Sequence, residues 1–366
     1  MIKFAKEKCG GANNKPMRSL SQQTIGTAPD GKEAQHYRLK SSTGIELELL
    51  SWGATISRLR TPDKLGQLGD VILGFADPRD YFLRHPYFGS TIGRFANRIG
   101  SAQFALQGAL LELSRNEGIH HLHGGHRGFD KVSWRGEPFS KSGQPAVRFR
   151  YYSPDGEEGY PGELDVSVEY VLAERDIHIT YEATSSKPTI INLTNHCYFN
   201  LLNGGSSDIW NHELLIPAAY TTAIDDQNIP TGQLKAVKDT ALDFTSLSRM
   251  AERRDQLHEQ RLYFDDNYVL NGPREKMKLA AGVCERQTGR KLEVWTTQAG
   301  LQFYSGEFIV CDRPGFGGFP YKASSGFCLE AQNFPDAPNH DDFPSATLQP
   351  GYRYQQEIIY KFPSNC

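Results

Sequence analysis

Two consecutive segments carry the clearest pattern in the chain. From Glu163 to Leu172, the residues Leu164, Val166, Val168, Tyr170 and Leu172 fall on one side, and Glu163, Asp165, Ser167 and Glu169 on the other. That is the period of two of a half-buried strand. Ile177, Ile179 and Tyr181 then alternate with Asp176, His178, Thr180 and Glu182, and the short turn Ala173–Arg175 between the runs predicts an antiparallel hairpin.

Shorter runs of the same kind occur at 37–40, 45–50, 71–75, 147–152, 291–296, 302–305 and 355–362, separated by Gly, Pro and Asp clusters. The apolar runs 188–193 and 326–329 read as buried strands. Only Ser246–Leu262 has helical spacing, through Leu247, Met250, Leu257 and Arg261. The pattern predicts an all-β fold, a large antiparallel β-sandwich with few short helices.

Composition narrows the class. With 366 residues, 38% hydrophobic and 23% charged, the chain is predicted to fold around a substantial core. A net charge of −3 supplies no basic field, so neither nucleic acid nor an anionic membrane surface is an expected partner. No run approaches the roughly 20 apolar residues of a spanning helix. Residues 1–25 have no apolar signal core, and the cytoplasm is the expected compartment. The six cysteines are far apart with no C-x-x-C pair, which predicts free, mostly buried thiols. No repeat or linker interrupts the chain, and Pro314–Pro320 reads as a surface loop. One domain is expected over residues 24–366, preceded by a mobile extension, 1–23.

Polar, ionisable and aromatic residues crowd into five segments: 93–98, 120–126, 192–199, 264–268 and 329–336. His120, His121, His123 and His126 invite a metal reading. The spacing suits it poorly: His120 would point away from His121 and His123 in a strand, Gly124 and Gly125 break the strand, and no neighbouring carboxylate or cysteine completes a ligand set. A hydrogen-bonding loop is the expectation, with no metal. His196 follows a buried strand and is open between a core histidine, held by Thr194 or Asn195, and a catalytic one. Glu330 follows another apolar strand, where a carboxylate is costly unless used or paired; a bridge to Arg94 or Arg98 is the structural alternative. Such a histidine and carboxylate can form an acid–base pair. Trp52, Phe95, Tyr198 and Phe334 are aromatic candidates for a sugar face, each also a plausible core residue.

Six motifs in order then resemble the aldose 1-epimerase (galactose mutarotase) family: Gly93-Arg-Phe-Ala-Asn-Arg-Ile99, Leu122-His-Gly-Gly125 with Gly128-Phe-Asp-Lys131, 154–162 (PDGEEGYPG), 192–201 (NLTNHCYFNL), Thr297-Gln298, and 328–337 (CLEAQNFPDA). The match runs from about Thr24 to Phe362. The resemblance implies a mutarotase-type β-sandwich and a cofactor-free isomerase that interconverts the α and β anomers of aldohexoses such as galactose and glucose. Carried over motif by motif, it implies that Glu330 is the general base at the C1 hydroxyl and His196 the general acid at the ring oxygen, and that Asn97, Arg98, His123, Asp265 and Gln298 bind hydroxyls. One departure stands out. The family commonly has Asp-His-Asn where this chain has Asp265-Asp266-Asn267, so Asp266 is expected to disturb hydroxyl preference or nearby pKa values. A monomer is the default state, a dimer the alternative. A sugar-binding module without turnover and a sugar-phosphate epimerase are the competing functions; the second should need clustered Lys or Arg, and the motifs offer Arg94 and Arg98.

Overall fold

In the computed structural model, which describes residues 18–257 and 262–364, antiparallel strands dominate. The expected hairpin is present as Leu164–Leu172 and Asp176–Ser185, paired from Leu164↔Ser185 to Leu172↔Ile177. These two strands lie inside a nine-stranded sheet that also holds Gln144–Ser153, Tyr354–Lys361, Arg290–Thr296 and Lys278–Glu285. A five-stranded meander, from Ser19–Thr27 to Leu68–Asp70, forms a second sheet.

The third sheet positions the site. It has six strands in the order Tyr198–Phe199, Phe327–Gln332, Gly300–Tyr304, Asp265–Val269, Tyr220–Ile224 and Pro230–Ala236. Its inner face supplies Leu301, Phe303, Leu329, Ala331 and Tyr268 to the main core, where they meet the apolar row Val166, Val168, Tyr170, Ile177 and Ile179 of the large sheet. Alternation then sends Gln302, Glu330, Gln332, Asp265 and Asn267 to the opposite face. Two smaller clusters, one around Phe88 and Tyr198 and one around Phe95 and Phe334, pack under the loops that cover this face.

Several expectations change. Helix 246–262 reduces to Met250–Arg254, because Ser248 and Arg249 pair with Leu214 and Glu213 as a short strand; residues 258–261 lie outside the described residues. Residues 71–75 make only isolated bridges at Ile72 and Phe75. In the run 188–193 only Thr189–Ile190 is a strand; Asn192 bridges in parallel to Phe95. Segment 264–268, one of the five polar segments, is mostly strand. Strand Ser19–Thr27 begins inside the expected extension, and residues 1–17 lie outside the described residues. Cys197, Cys311 and Cys328 are free and buried, as expected, but Cys284 is disulfide-bonded, which corrects the expectation of free thiols there; Cys9 and Cys366 lie outside the described residues. Among the described residues no helix is long and apolar enough to cross a membrane.

His212 shows what the core demands of a polar group. It is fully buried, its Nδ1 lies 2.9 Å from the Ile209 carbonyl, and its Nε2 accepts from the Leu201 amide at 3.0 Å. Burial lowers its pKa from 6.5 to about 4. The unfolded chain takes up this proton near pH 6.5 and the folded chain near 4, so stability falls as the pH drops between them, by about 2 kcal/mol at pH 5 from this residue. Denaturant melts at pH 7 and pH 5 should therefore show the stability gap between wild type and His212→Gln narrowing by about that amount on acidification. A gap that does not narrow contradicts a neutral His212.

Candidate active site

Glu330 sits mid-strand, 2% exposed, paired through the backbone with Gln302. His196 reaches the same space from the crossing between Thr194–Asn195 and Tyr198–Phe199. Its amide donates to the Ser90 carbonyl and its carbonyl accepts from the Gly89 amide, which clamps it to the segment 89–90. The two side chains face each other with His196 Nε2 3.7 Å from Glu330 Oε1, too long for a good hydrogen bond and short enough to serve two oxygens on one carbon. Neither expected alternative partner appears. Arg94 is spent on Ser153, Pro154 and Pro161, and Arg98 makes a fork to Glu117 at 2.7 Å through both Nε and Nη2. Thr194 and Asn195 do not hold the His196 ring; the Cys328 thiol lies 3.5 Å from its Nδ1.

Burial sets the proton affinities. Glu330 is pushed well above the carboxylate range by desolvation, with the nearby Asp265 charge adding and Arg98 opposing. Desolvation lowers His196 to about 3. The pair is therefore a neutral acid beside a neutral imidazole. Glu330 Oε2 is buried with no hydrogen-bond partner among the described residues. Tyr87 and Tyr198 flank the imidazole at 5.5 and 5.0 Å between centroids, tilted by 24° and 26°, faces that favour a cation when the ring is protonated.

His123 arrives from the loop after His121–Leu122, a two-residue strand paired with Arg98–Ile99. It holds a left-handed backbone at φ 51, followed by Gly124 at φ 85, where a Cβ would lie 1.8 Å from the Gly93 carbonyl oxygen. The Asn97 amide donates to His123 Nδ1 at 3.1 Å, so the neutral ring carries its proton on Nε2. His123, His196 and Glu330 have donor atoms within 4.8 Å of one another, a metal-like set that corrects the expectation that no carboxylate lies near His123. With Nδ1 engaged and Nε2 protonated, however, His123 offers a cation no lone pair. It offers a hydroxyl a hydrogen-bond donor instead.

Asn97 and Arg98 line a small cavity with Asp265, and Arg98 Nη1 lies 3.9 Å from Asp265 Oδ2. Of the residues singled out in the sequence, the structure brings together Asn97, Arg98, His123, His196, Asp265 and Glu330. It does not bring Gln298, which hydrogen-bonds Tyr354 and Gln356 and lines a separate cavity of about 810 Å³. Gln302 takes the expected place: it opposes Glu330 across the strands and donates to Asp265 Oδ1 at 2.7 Å. The alternation of 300–304 could have found it, since Gln302 is the polar residue between Leu301 and Phe303. Asp266 points to the face opposite Asp265 and pairs with Phe303, so its expected effect on the hydroxyl contacts does not follow from its placement. Tyr198 meets the site, whereas Trp52 edges onto Phe82 in another cavity, Phe95 is wholly buried and Phe334 packs on Phe343. Tyr87 and Glu117 had no signal in the sequence that set them apart.

Fold and site define a class: an antiparallel β-sandwich whose polar sheet face carries a buried carboxyl and an imidazole side by side, ringed by hydrogen-bonding side chains. The family model for aldose 1-epimerase matches residues 35–361. Galactose mutarotases from Sus scrofa and Rattus norvegicus are 41% and 42% identical over 347 residues, 94% of this chain and 99% of theirs. The aldose 1-epimerase of Escherichia coli is 36% identical over 348 residues. Among solved structures, a galactose 1-epimerase from Lactobacillus acidophilus superposes with a TM-score of 0.84 at 26% identity, covering 96% of this chain and all of that one. The chain belongs to the aldose 1-epimerase family, isomerases that interconvert the anomers of aldoses.

A site this buried has a spectroscopic signature. Nitrogen-detected NMR should show the His196 ring neutral throughout pH 5–8, with its titration near 3. A midpoint near 6.5 contradicts the burial described here.

Proposed function

We propose that this protein interconverts the α and β anomers of free aldohexoses, galactose and glucose, with Glu330 and His196 as the acid–base pair. The observation that carries the reading is the buried pair 3.7 Å apart, with one proton to share and no partner for Glu330 Oε2 among the described residues. In the closed-ring complex that proton is on His196 Nε2 and Glu330 is a carboxylate. Glu330 takes the proton of the C1 hydroxyl while the C1–O5 bond breaks and His196 protonates O5. The product is an open aldehyde with both side chains neutral. Rotation about C1–C2 presents the other carbonyl face, and the reverse transfers close the ring.

Burial acts in the right direction at each step. It makes a charged Glu330 a stronger base and a charged His196 a stronger acid, and both transfers end in the neutral forms that a desolvated site favours. Tyr87 and Tyr198 stabilise the imidazolium that precedes ring opening. O1 and O5 share one carbon, so the groups that serve them must lie side by side, as these do. In this reading Arg98, Asp265, Asn97, His123 and Gln302 hold the ring hydroxyls, and no metal or cofactor takes part. Gln298, far from the pair in its contacts, is left out. A monomer in the cytoplasm completes the reading; the free buried thiols of Cys197, Cys311 and Cys328 favour that compartment and the Cys284 disulfide weighs against it.

The test is polarimetry of freshly dissolved α-D-galactose and α-D-glucose. Wild type should hasten anomeric equilibrium, and Glu330→Gln and His196→Asn should each lower kcat by about 10²–10⁴-fold while the melting temperature holds. Asp265→Asn should act chiefly on KM, by about ten-fold, as expected for one charge-assisted hydrogen bond. Calorimetric sugar binding with no acceleration would contradict turnover and leave a binding module.

A further inference from the structure

Asn267 and Gln332 are the two side-chain amides on the site face with both polar atoms unsatisfied among the described residues, and of the two only Asn267 lines the small cavity beside Asp265. Asn267 is 2% exposed, and neither its Oδ1 nor its Nδ2 has a hydrogen-bond partner among the described residues. A buried amide left unpaired costs about 1–3 kcal/mol, which evolution tolerates where the group is used. Beside it, Gln302 Oε1 and Thr222 Oγ1 are also buried without partners among the described residues. These three residues line one small cavity with Asn97, Arg98 and Asp265. The cavity, about 10 Å³, fits a single hydroxyl-sized group.

The strand register says which part of a sugar reaches it. Asn267 opposes Gln302, and Gln302 opposes Glu330, so the three share one row on one face. Two strand spacings, about 9–10 Å, separate the ends of that row. With the anomeric carbon at Glu330, Asn267 lies at the far end of a pyranose. Gly300 leaves the room for it: a Cβ there would lie 2.6 Å from Asn267 Oδ1. The amide is thus packed in place with its polar atoms unsatisfied.

We propose that Asn267, with Gln302 and Thr222 beside it, forms a subsite that binds one hydroxyl at the end of the hexose remote from C1, and that Asn267 is a specificity-determining residue. The proposal rests on the reading of the site as an aldohexose pocket. An amide can donate and accept, so it can hold one hydroxyl in both senses, and a sugar lacking that hydroxyl would leave the amide unpaired again.

The experiment compares wild type, Asn267→Leu and Asn267→Ser on D-galactose, D-glucose and the 3-, 4- and 6-deoxy forms of galactose. Asn267→Leu keeps the volume and removes the unpaired atoms, so its melting temperature should equal or exceed that of wild type. Its kcat/KM for galactose should fall by about 10–100-fold, and for one of the three deoxy sugars that loss should vanish. Asn267→Ser, which supplies the same comparison if the leucine variant does not fold, should show a smaller loss confined to the same position. Equal losses on every sugar, or none on any, overturn the proposal. Should wild type accelerate no sugar, the function proposed above fails on its own; calorimetric Kd values for the same sugars then decide the subsite, and a Kd for galactose unchanged by Asn267→Leu overturns it.

Discussion

The strand Phe327–Gln332 cannot bury Leu329 and Ala331 in the main core without turning Glu330 to the other face of the sheet. That one alternation places a carboxylate where water does not reach. The rest of the site answers to it. Gln302 and Asn267 follow by register on the next two strands, and Asp265 follows two residues before Asn267. The loops that seal this face bring His123, His196 and Tyr87, each close-packed and two of them held in left-handed backbone.

Sealing creates an energetic tension. A charged carboxylate or imidazolium in this space is costly, so the pair is neutral, and in the proposed reaction its charged form is the reactive one. The unpaired oxygens and amides on the sheet face store a similar cost. A core built from the inner faces of three sheets carries both without losing the fold. Stability is thus placed on one side of the six-stranded sheet and unsatisfied polarity on the other.

Much of this was legible in the sequence because a period of two states which side chains are buried. The hairpin at 164–185 follows from it directly, and His196 and Glu330 stand out as polar residues beside apolar runs, although the strand read as ending at Leu329 continues through Glu330 to Gln332. What was not legible depends on contacts between distant segments. Helix 246–262 yielded to strand pairing at Ser248 and Arg249. Gln298 and Gln302 look alike in sequence, and only the register with Glu330 separates them. His123 and Glu330 are far apart in the chain, so no spacing rule could pair them. Asp266 differs from its family counterpart, yet its place on the opposite face of the strand follows from parity alone.

The most direct test of the central claim is a crystal structure of Glu330→Gln soaked with galactose. The account predicts a pyranose on the sheet face, with O1 beside residue 330, O5 beside His196 Nε2, and the far end of the ring toward Asn267. A sugar bound instead in the cavity lined by Gln298 and Tyr354, or oriented with C1 away from His196, would contradict it.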